Sequence, residues 1–222
     1  MDSSFLLHDQ AQSLLVALAA QCSGDQGKSF GSMSTSIYDT AWLSMVRKPV
    51  KPDSDSTASH TWLFPECFEH IITQQLDSGG WECDATPVDG ILNTAAALLS
   101  LKRHLHAKPE RHDWLLKAQK AEAALKQILD QWETQSTDQV GQEILVISLM
   151  NLLKQEGVSI EFSQLGDLRA IRDTKLAKFP PSTIYENPST LYHSLEAFIG
   201  YIDFDHVQRW RQTNGSMMGS PA

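Results

Sequence analysis

The sequence predicts an all-α fold, and three features of the chain support this prediction. Apolar residues recur at intervals of three or four through most of the sequence, which is the spacing of a helix that buries one face. Almost no stretch shows the apolar–polar alternation of a half-buried strand. Short segments rich in Gly, Pro and Ser separate the periodic stretches. Helices joined in this way form bundles, solenoids or α-α barrels, and the composition does not choose among these architectures.

Helical periodicity and breaker residues define the individual elements. Pro49 ends the second predicted helix and opens a polar segment at 49–61, which is predicted to be a linker. Pro180, Pro181 and Pro188 mark a segment that is predicted to be irregular. The predicted helices cover residues 5–21, 36–47, 64–76, 91–104, 110–132, 140–155, 162–171, 190–202 and 203–211.

The composition excludes several classes of function. The 222 residues include 27 acidic and 18 basic side chains, and the formal net charge of −9 argues against a general nucleic-acid binder. No run of about 18 apolar residues occurs, so no membrane span is predicted. The three cysteines are scattered, and the N-terminus has neither the basic nor the apolar region of a signal peptide. These features predict a cytoplasmic protein with free thiols.

Several short motifs occur in order along the chain. They are SIYDTAW at 36–42, FPECF at 64–68, QLDSGGW at 75–81, VGQEI at 140–144, KLAKFP at 175–180, TLYHSLE at 190–196 and GSMMGSPA at 215–222. Together these motifs resemble the N-terminal part of the diterpene cyclases of the copalyl diphosphate and ent-kaurene synthase family. The form of the motifs is closer to the fungal bifunctional enzymes than to the plant enzymes.

This resemblance implies a domain organisation. Members of the family contain helical α, β and γ domains, and the γ domain follows the first helix of the β domain. Residues 1–50 would then be an N-terminal segment that includes this first helix. Residues 51–222 would form an α-α barrel-like γ domain that is incomplete at its C-terminus. The remaining β and α domains would be its partners, with the class II active site between β and γ.

The resemblance also implies a reaction. The parent enzyme would protonate geranylgeranyl diphosphate and cyclise it to copalyl diphosphate, an isomerase step, and a class I lyase step could carry it on to a tetracyclic diterpene. Class II cyclisation needs a strong acid, a dry pocket and a base. The acidic DxDD motif and the class I DDxxD motif are absent, and the nearest sequences are DSD at 53–55 and DFD at 203–205. The isolated chain is therefore expected to be inactive.

Two candidate site residues come from this resemblance. His193 corresponds to a family histidine that helps to hold the water which takes the final proton, and a neutral imidazole suits that role. Lys175 corresponds to a lysine that contacts the substrate diphosphate. The structural alternatives are a helix histidine bonded to a neighbouring group, and a solvated lysine beside Asp173.

Glu133 and Asp138 are the candidate metal ligands, because the stretch at 133–138 corresponds to an acidic family motif linked to Mg²⁺. Only these two carboxylates remain, five positions apart, whereas Mg²⁺ prefers several oxygen ligands. His104, His106 and His112 are interpreted as a solvated helix end rather than a metal site, because residues two apart in a helix do not share a face.

Two other functions are compatible with the sequence. The chain could be a non-catalytic helical scaffold or a truncated paralogue, which a stop codon directly after Ala222 would favour. It could also resemble the helical barrel of a prenyltransferase β-subunit, which shares Gly–aromatic repeats. That barrel needs a zinc ligand set of Asp, Cys and His, which the sequence does not assemble.

Overall fold

The computed structural model describes residues 12–13, 35–49, 60–82, 86–133, 141–186 and 190–213. The chain divides into two units, Met1–Thr35 and Ser36–Ala222, and the second contains nearly all of the described residues. Except for residues 12 and 13, which are helical, the helix predicted at 5–21 lies outside the described residues. The motif at 215–222 and most of the 49–61 linker lie outside them as well.

The described part of the second unit is mainly helical, which confirms the predicted all-α fold class. In chain order its elements are α1 (Ile37–Ser44), β1 (Arg47–Pro49), β2 (His60–Trp62), α2 (Pro65–Thr73), α3 (Pro87–Ala107), α4 (His112–Gln131), α5 (Gln142–Gln155), α6 (Leu165–Leu176), α7 (Pro181–Glu186), a 3₁₀ segment (Thr190–Phe198), α8 (Phe204–Val207) and a 3₁₀ turn (Gln208–Trp210). The assignment of residues 1–50 and 51–222 to family domains remains a prediction.

Helix α3 is the centre of the main core. It packs against α1, α4 and α5, and every residue from 93 to 101 is buried. Three consecutive alanines, Ala95 to Ala97, allow these neighbours to approach closely. The helix begins at Pro87, and the Thr86 N–H donates to Asp89 Oδ2 at 2.8 Å as in a capping box.

Several polar side chains buried on α3 form hydrogen bonds to neighbouring segments. Ser100 Oγ lies 2.7 Å from Ser44 Oγ on α1, and Asn93 Nδ2 donates to Glu82 O at 2.8 Å. Because an unpaired buried polar group costs about 1–3 kcal/mol, these bonds fix which segment lies beside each turn of the helix. The packing around α3 is therefore specified by hydrogen bonds as well as by apolar contact.

The structure departs from the predicted secondary structure in three short segments. Strands β1 and β2 pair antiparallel, with Arg47 opposite Trp62, so the two ends of the predicted linker lie together. The segment after Pro180 is not irregular, because Pro181 takes the first position of α7, where no hydrogen bond is lost. The helix predicted at 190–202 is a shorter 3₁₀ segment with a non-helical residue at Ser194.

The turn at 75–81 fastens the end of α2 to α4. Gln75 Nε2 donates to Gly79 O at 2.8 Å and to Lys117 O at 2.9 Å, and Trp81 Nε1 donates to Ile71 O at 2.9 Å. Gly79 has a φ of +92°, and a Cβ on this residue would lie 2.5 Å from Lys120 O. Both the backbone conformation and the close approach to α4 therefore require glycine here.

We predict that Gly79→Ala destabilises the chain more than Gly157→Ala does. Both glycines have positive φ, so each alanine costs about 1–2 kcal/mol of backbone strain. Nothing lies within 4 Å of a Cβ at Gly157, whereas the Cβ at Gly79 meets the α4 backbone. Urea unfolding of both variants checks the prediction, and equal losses of unfolding free energy would contradict it.

His104 is buried, so the prediction of a solvated helix end was wrong for this residue. Its ring is stacked between Trp62 and Phe68, with centroid distances of 4.0 and 3.7 Å, and its Nδ1 lies 2.9 Å from Ser100 O. Burial, opposed by the Ser100 contact and assisted by the Arg47 charge, lowers the pKa of His104 to about 4. The neutral ring therefore joins β2, α2 and α3.

We predict that His104 makes the fold less stable as the pH falls. Its pKa is 6.5 in the unfolded chain and about 4 in the fold, so the unfolded state binds more protons between these values and the loss approaches about 3 kcal/mol. His104→Phe retains a stacked ring without titrating. Between pH 7 and pH 4, wild type should lose more unfolding free energy than this variant does. An equal loss in both proteins across that range would show that burial does not lower the pKa of His104.

Candidate functional site

The motifs at 36–42 and 190–196 meet through one side-chain contact. The Tyr38 hydroxyl of α1 donates to Glu196 Oε1 of the 3₁₀ segment at 3.2 Å, although the two residues are 158 positions apart. Ser148 of α5 donates from its Oγ to the Glu196 backbone oxygen at 2.9 Å. Glu196 is therefore held from two helices, by its side chain and by its backbone.

The surroundings of this pair raise the pKa of both groups. Burial raises the pKa of Glu196, against the lowering effect of hydrogen bonds that include the one from Tyr38. Burial also raises the pKa of Tyr38, and the Glu196 carboxyl raises it further. The Trp42 indole N–H lies near enough to the phenol to oppose part of that rise, although it has no hydrogen bond of standard geometry. The phenol consequently remains a donor, and Glu196 is its acceptor.

His193 lies in the 3₁₀ segment, three positions before Glu196, and its side chain is outside the described part of the chain. Its neighbour Tyr192 is buried and donates from its hydroxyl to Ile184 O at 2.7 Å. The backbone at His193 thus lies between two anchored residues. The predicted role of His193 remains a prediction.

A second apolar cluster includes buried residues of the 3₁₀ segment. It joins α5, α6, α7, the 3₁₀ segment and α8, and its buried members are Ile144, Leu176, Ile184, Tyr192, Ala197, Phe198, Ile202 and Val207. Because α5 also contributes to the main core, this helix links the segment to α3. The cluster places the predicted His193 and Lys175 positions on elements that share one core.

Lys175 is paired with a carboxylate that the sequence analysis did not single out. Its Nζ lies 2.5 Å from Glu143 Oε1, and the two side chains are 38% and 10% exposed. Asp173, the partner expected for a solvated lysine, instead pairs with Arg172 at 3.3 Å. The motifs at 140–144 and 175–180 therefore meet through this ion pair, in which a partly exposed ammonium contacts a largely buried carboxylate.

Of the two predicted metal ligands, only Glu133 belongs to the described residues, so their pairing remains a prediction. Glu133 is exposed directly after the end of α4, and Asp138 lies outside the described residues. The described ranges contain no group of three or more His, Cys, Asp and Glu side chains that could hold a metal ion. His106 pairs with Glu156 at 3.2 Å instead of joining His104 and His112. The donor set of the described residues does not fit Mg²⁺.

Sequence reasoning missed Glu143 and Glu196, which carry the polar contacts of this region. Both residues stand inside motifs that were identified, so the motif pattern contained a signal for each. Their partners are on other helices, and only packing shows which polar residue meets which.

Within the described part of the chain, no helix combines the length and the apolar character that crossing a membrane requires.

The chain is similar in sequence to several curated fungal enzymes. It is 40% identical to copalyl diphosphate synthase of Talaromyces verruculosus, over 97% of this chain and 22% of that protein. It is 42% identical to pimaradiene synthase of Emericella nidulans, over 86% of this chain and 19% of that protein. It is 36% identical to ent-kaur-16-ene synthase of Phaeosphaeria sp., over 87% and 21%. The chain thus spans about a fifth of the length of these relatives. No protein-family model matches the chain.

A solved structure shares the fold. The chain matches the crystal structure of ent-copalyl diphosphate synthase from Arabidopsis thaliana in complex with (S)-15-aza-14,15-dihydrogeranylgeranyl thiolodiphosphate, with a TM-score of 0.67. The match covers 91% of this chain and 28% of the other, at 22% identity. This likeness confirms the helical fold that the motifs led us to expect.

We predict that Lys175→Ala destabilises the chain by on the order of 1–3 kcal/mol, because the largely buried Glu143 carboxylate loses its partner. Lys178→Ala is the matched control, since Lys178 is exposed and lies three positions further along. The control should change the free energy of unfolding by less than about 0.5 kcal/mol. Thermal or urea unfolding measures both, and equal small effects would show that the ion pair does not contribute.

Proposed function

Because this chain belongs to the copalyl diphosphate and ent-kaurene synthase family of diterpene cyclases, we propose that it forms one part of a class II cyclase. The substrate of the whole enzyme would be geranylgeranyl diphosphate, and its product a copalyl diphosphate. The single observation that carries this proposal is 40% identity over 97% of the chain to a copalyl diphosphate synthase. In a bifunctional enzyme, a class I domain would process this product further.

The reaction assigns different groups to different parts of the enzyme. A strong acid protonates the terminal alkene, the cation cyclises in a dry pocket, and a base removes the final proton. The sequence has no two adjacent aspartates, so it contains neither DxDD nor DDxxD. The acid must therefore come from another part of the enzyme. This chain would supply the γ domain wall of the class II site, in the cytoplasm.

His193 is the residue of this chain that we propose for the terminating base. A neutral imidazole accepts a proton near neutral pH, directly or through a bound water. Its position is supported by the buried Tyr192 and by the bonded Glu196 on either side of it. The motif TLYHSLE at 190–196 carries the assignment, since the His193 side chain is not described.

Lys175 is the residue that we propose for binding the substrate diphosphate. An ammonium is a suitable partner for phosphate oxygens, and the Glu143 carboxylate holds this one at the junction of α5 and α6. The Lys175 side chain is 38% exposed, so its ammonium can donate to a second oxygen acceptor while it keeps the pair with Glu143. No step is assigned to Mg²⁺ here, because the described residues do not provide a suitable set of ligands.

We predict that the 222-residue chain alone gives no cyclised product from geranylgeranyl diphosphate and Mg²⁺, because the acid is absent.

We further predict that His193→Ala changes the product of a full-length enzyme that carries this segment. Such an enzyme can be made by replacing the matching region of the Talaromyces verruculosus synthase with this chain. Gas chromatography with mass spectrometry should show a hydroxylated product, since water then captures the cation.

The control is His206→Ala, which removes an exposed histidine of α8 that pairs with Asp203. It should leave the product unchanged. Cyclised product from the isolated chain would contradict the first prediction. The same product at the same rate from wild type and His193→Ala would remove His193 from the mechanism.

A further inference from the structure

We propose that Tyr38 and Glu196 are positioning residues that hold the 3₁₀ segment bearing His193 in the geometry needed for proton removal. This inference rests on the proposed function, in which His193 takes part in the terminating base. The observation that carries it is the contact between the Tyr38 hydroxyl and Glu196 Oε1 at 3.2 Å. The contact joins a helix in the main core to the last motif before the end of the described chain.

Tyr38 is attached to a rigid part of the molecule. Its helix, α1, is capped by Ser36, whose Oγ accepts the Asp39 N–H at 3.1 Å, and it packs against both α2 and α3. The Tyr38 ring also makes an edge contact with the Trp42 ring, with centroids 6.2 Å apart and planes at 70°. These contacts hold the phenol in place independently of Glu196. Tyr38 can therefore fix the position of the 3₁₀ segment through its hydrogen bond.

The 3₁₀ segment has little rigidity of its own. Its hydrogen-bond geometry is poorer than that of an α-helix, and runs longer than three or four residues are uncommon. Ser194, the residue after His193, interrupts it with φ −133° and ψ 43°. The position of the segment is therefore set by tertiary contacts on each side of His193: Tyr192 with Ile184 O on one side, and Tyr38 and Ser148 with Glu196 on the other.

The chemistry of termination is sensitive to this position. When a C–H bond beside the cation breaks, its electron pair forms the alkene and the base takes the proton. When the base is displaced, water adds to the cation through a new C–O bond and then releases its own proton to solvent. A general base must lie about 2.6–3.2 Å from its partner, and a misplacement of 1 Å can cost about 10²-fold. Loss of the Tyr38–Glu196 contact should therefore change the ratio of alkene to alcohol.

The test uses Tyr38→Phe in the chimeric full-length enzyme described above. This variant keeps the ring and the contact with Trp42 and removes only the hydroxyl that donates to Glu196. We expect the alcohol fraction to rise several-fold and kcat to fall by about tenfold, with KM for geranylgeranyl diphosphate within about twofold of wild type. Glu196→Gln keeps an oxygen acceptor for Tyr38 and should retain the wild-type product ratio, whereas Glu196→Ala should not.

Tyr201→Phe is the matched control. Tyr201 is also partly buried, and its hydroxyl donates to Leu176 O at 3.1 Å, away from Glu196. This variant should leave the product ratio unchanged. Hydrogen exchange on the 222-residue chain provides a second measurement that does not depend on activity: Tyr38→Phe should speed exchange of the amides at 190–198, and Tyr201→Phe should not.

The outcomes separate this inference from the proposed function. If His193→Ala shifts the product but Tyr38→Phe behaves like Tyr201→Phe in both measurements, the positioning role is wrong and the proposed function stands. If His193→Ala leaves the product unchanged, the proposed function of His193 is wrong, whatever Tyr38→Phe does. If the chimera is inactive, exchange at 190–198 decides: equal rates in wild type and Tyr38→Phe overturn the positioning role.

Discussion

The burial of α3 on all sides is the constraint on which the rest of the described structure depends. Every residue from 93 to 101 is removed from solvent, so this helix must be covered by neighbours in all directions. Helix α4, which directly follows α3 in the chain, and the more distant helices α1 and α5 provide this cover. The turn at Gly79 and the stacked His104 then fix how α2 and β2 join the same core.

The candidate site follows from that arrangement. Since α1 and α5 both pack against α3, Tyr38 and Ser148 reach Glu196 from two sides. The second apolar cluster holds α6 near α5, which brings Lys175 to Glu143. The two residues assigned to chemistry are thus connected to the main core through carboxyl groups. We propose that these carboxyls orient the site, while the acid comes from another part of the enzyme.

Much of the fold could be predicted from the sequence, because the apolar periodicity of long amphipathic stretches predicts helices. Short elements could not be predicted in this way. Three-residue strands are too brief to show alternation. Helix α7 was missed because Pro181 was interpreted as a helix breaker, although proline suits the first turn of a helix. The environment of His104 was also missed, since its pairing with Trp62 and Phe68 depends on packing. Glu143 and Glu196 stood within known motifs, but the partner of Glu196 lies 158 positions away and no local pattern could reveal it.

A double-mutant cycle between Tyr38→Phe and Glu196→Ala, measured by urea unfolding of the 222-residue chain, tests directly whether these two side chains hold the 3₁₀ segment. The two side chains share a hydrogen bond in a partly buried site, so their effects on the free energy of unfolding should not add. We expect a coupling of about 1 kcal/mol, the usual net value of such a bond. Additive effects, with a coupling indistinguishable from zero, would show that the first helix does not hold the segment that carries His193.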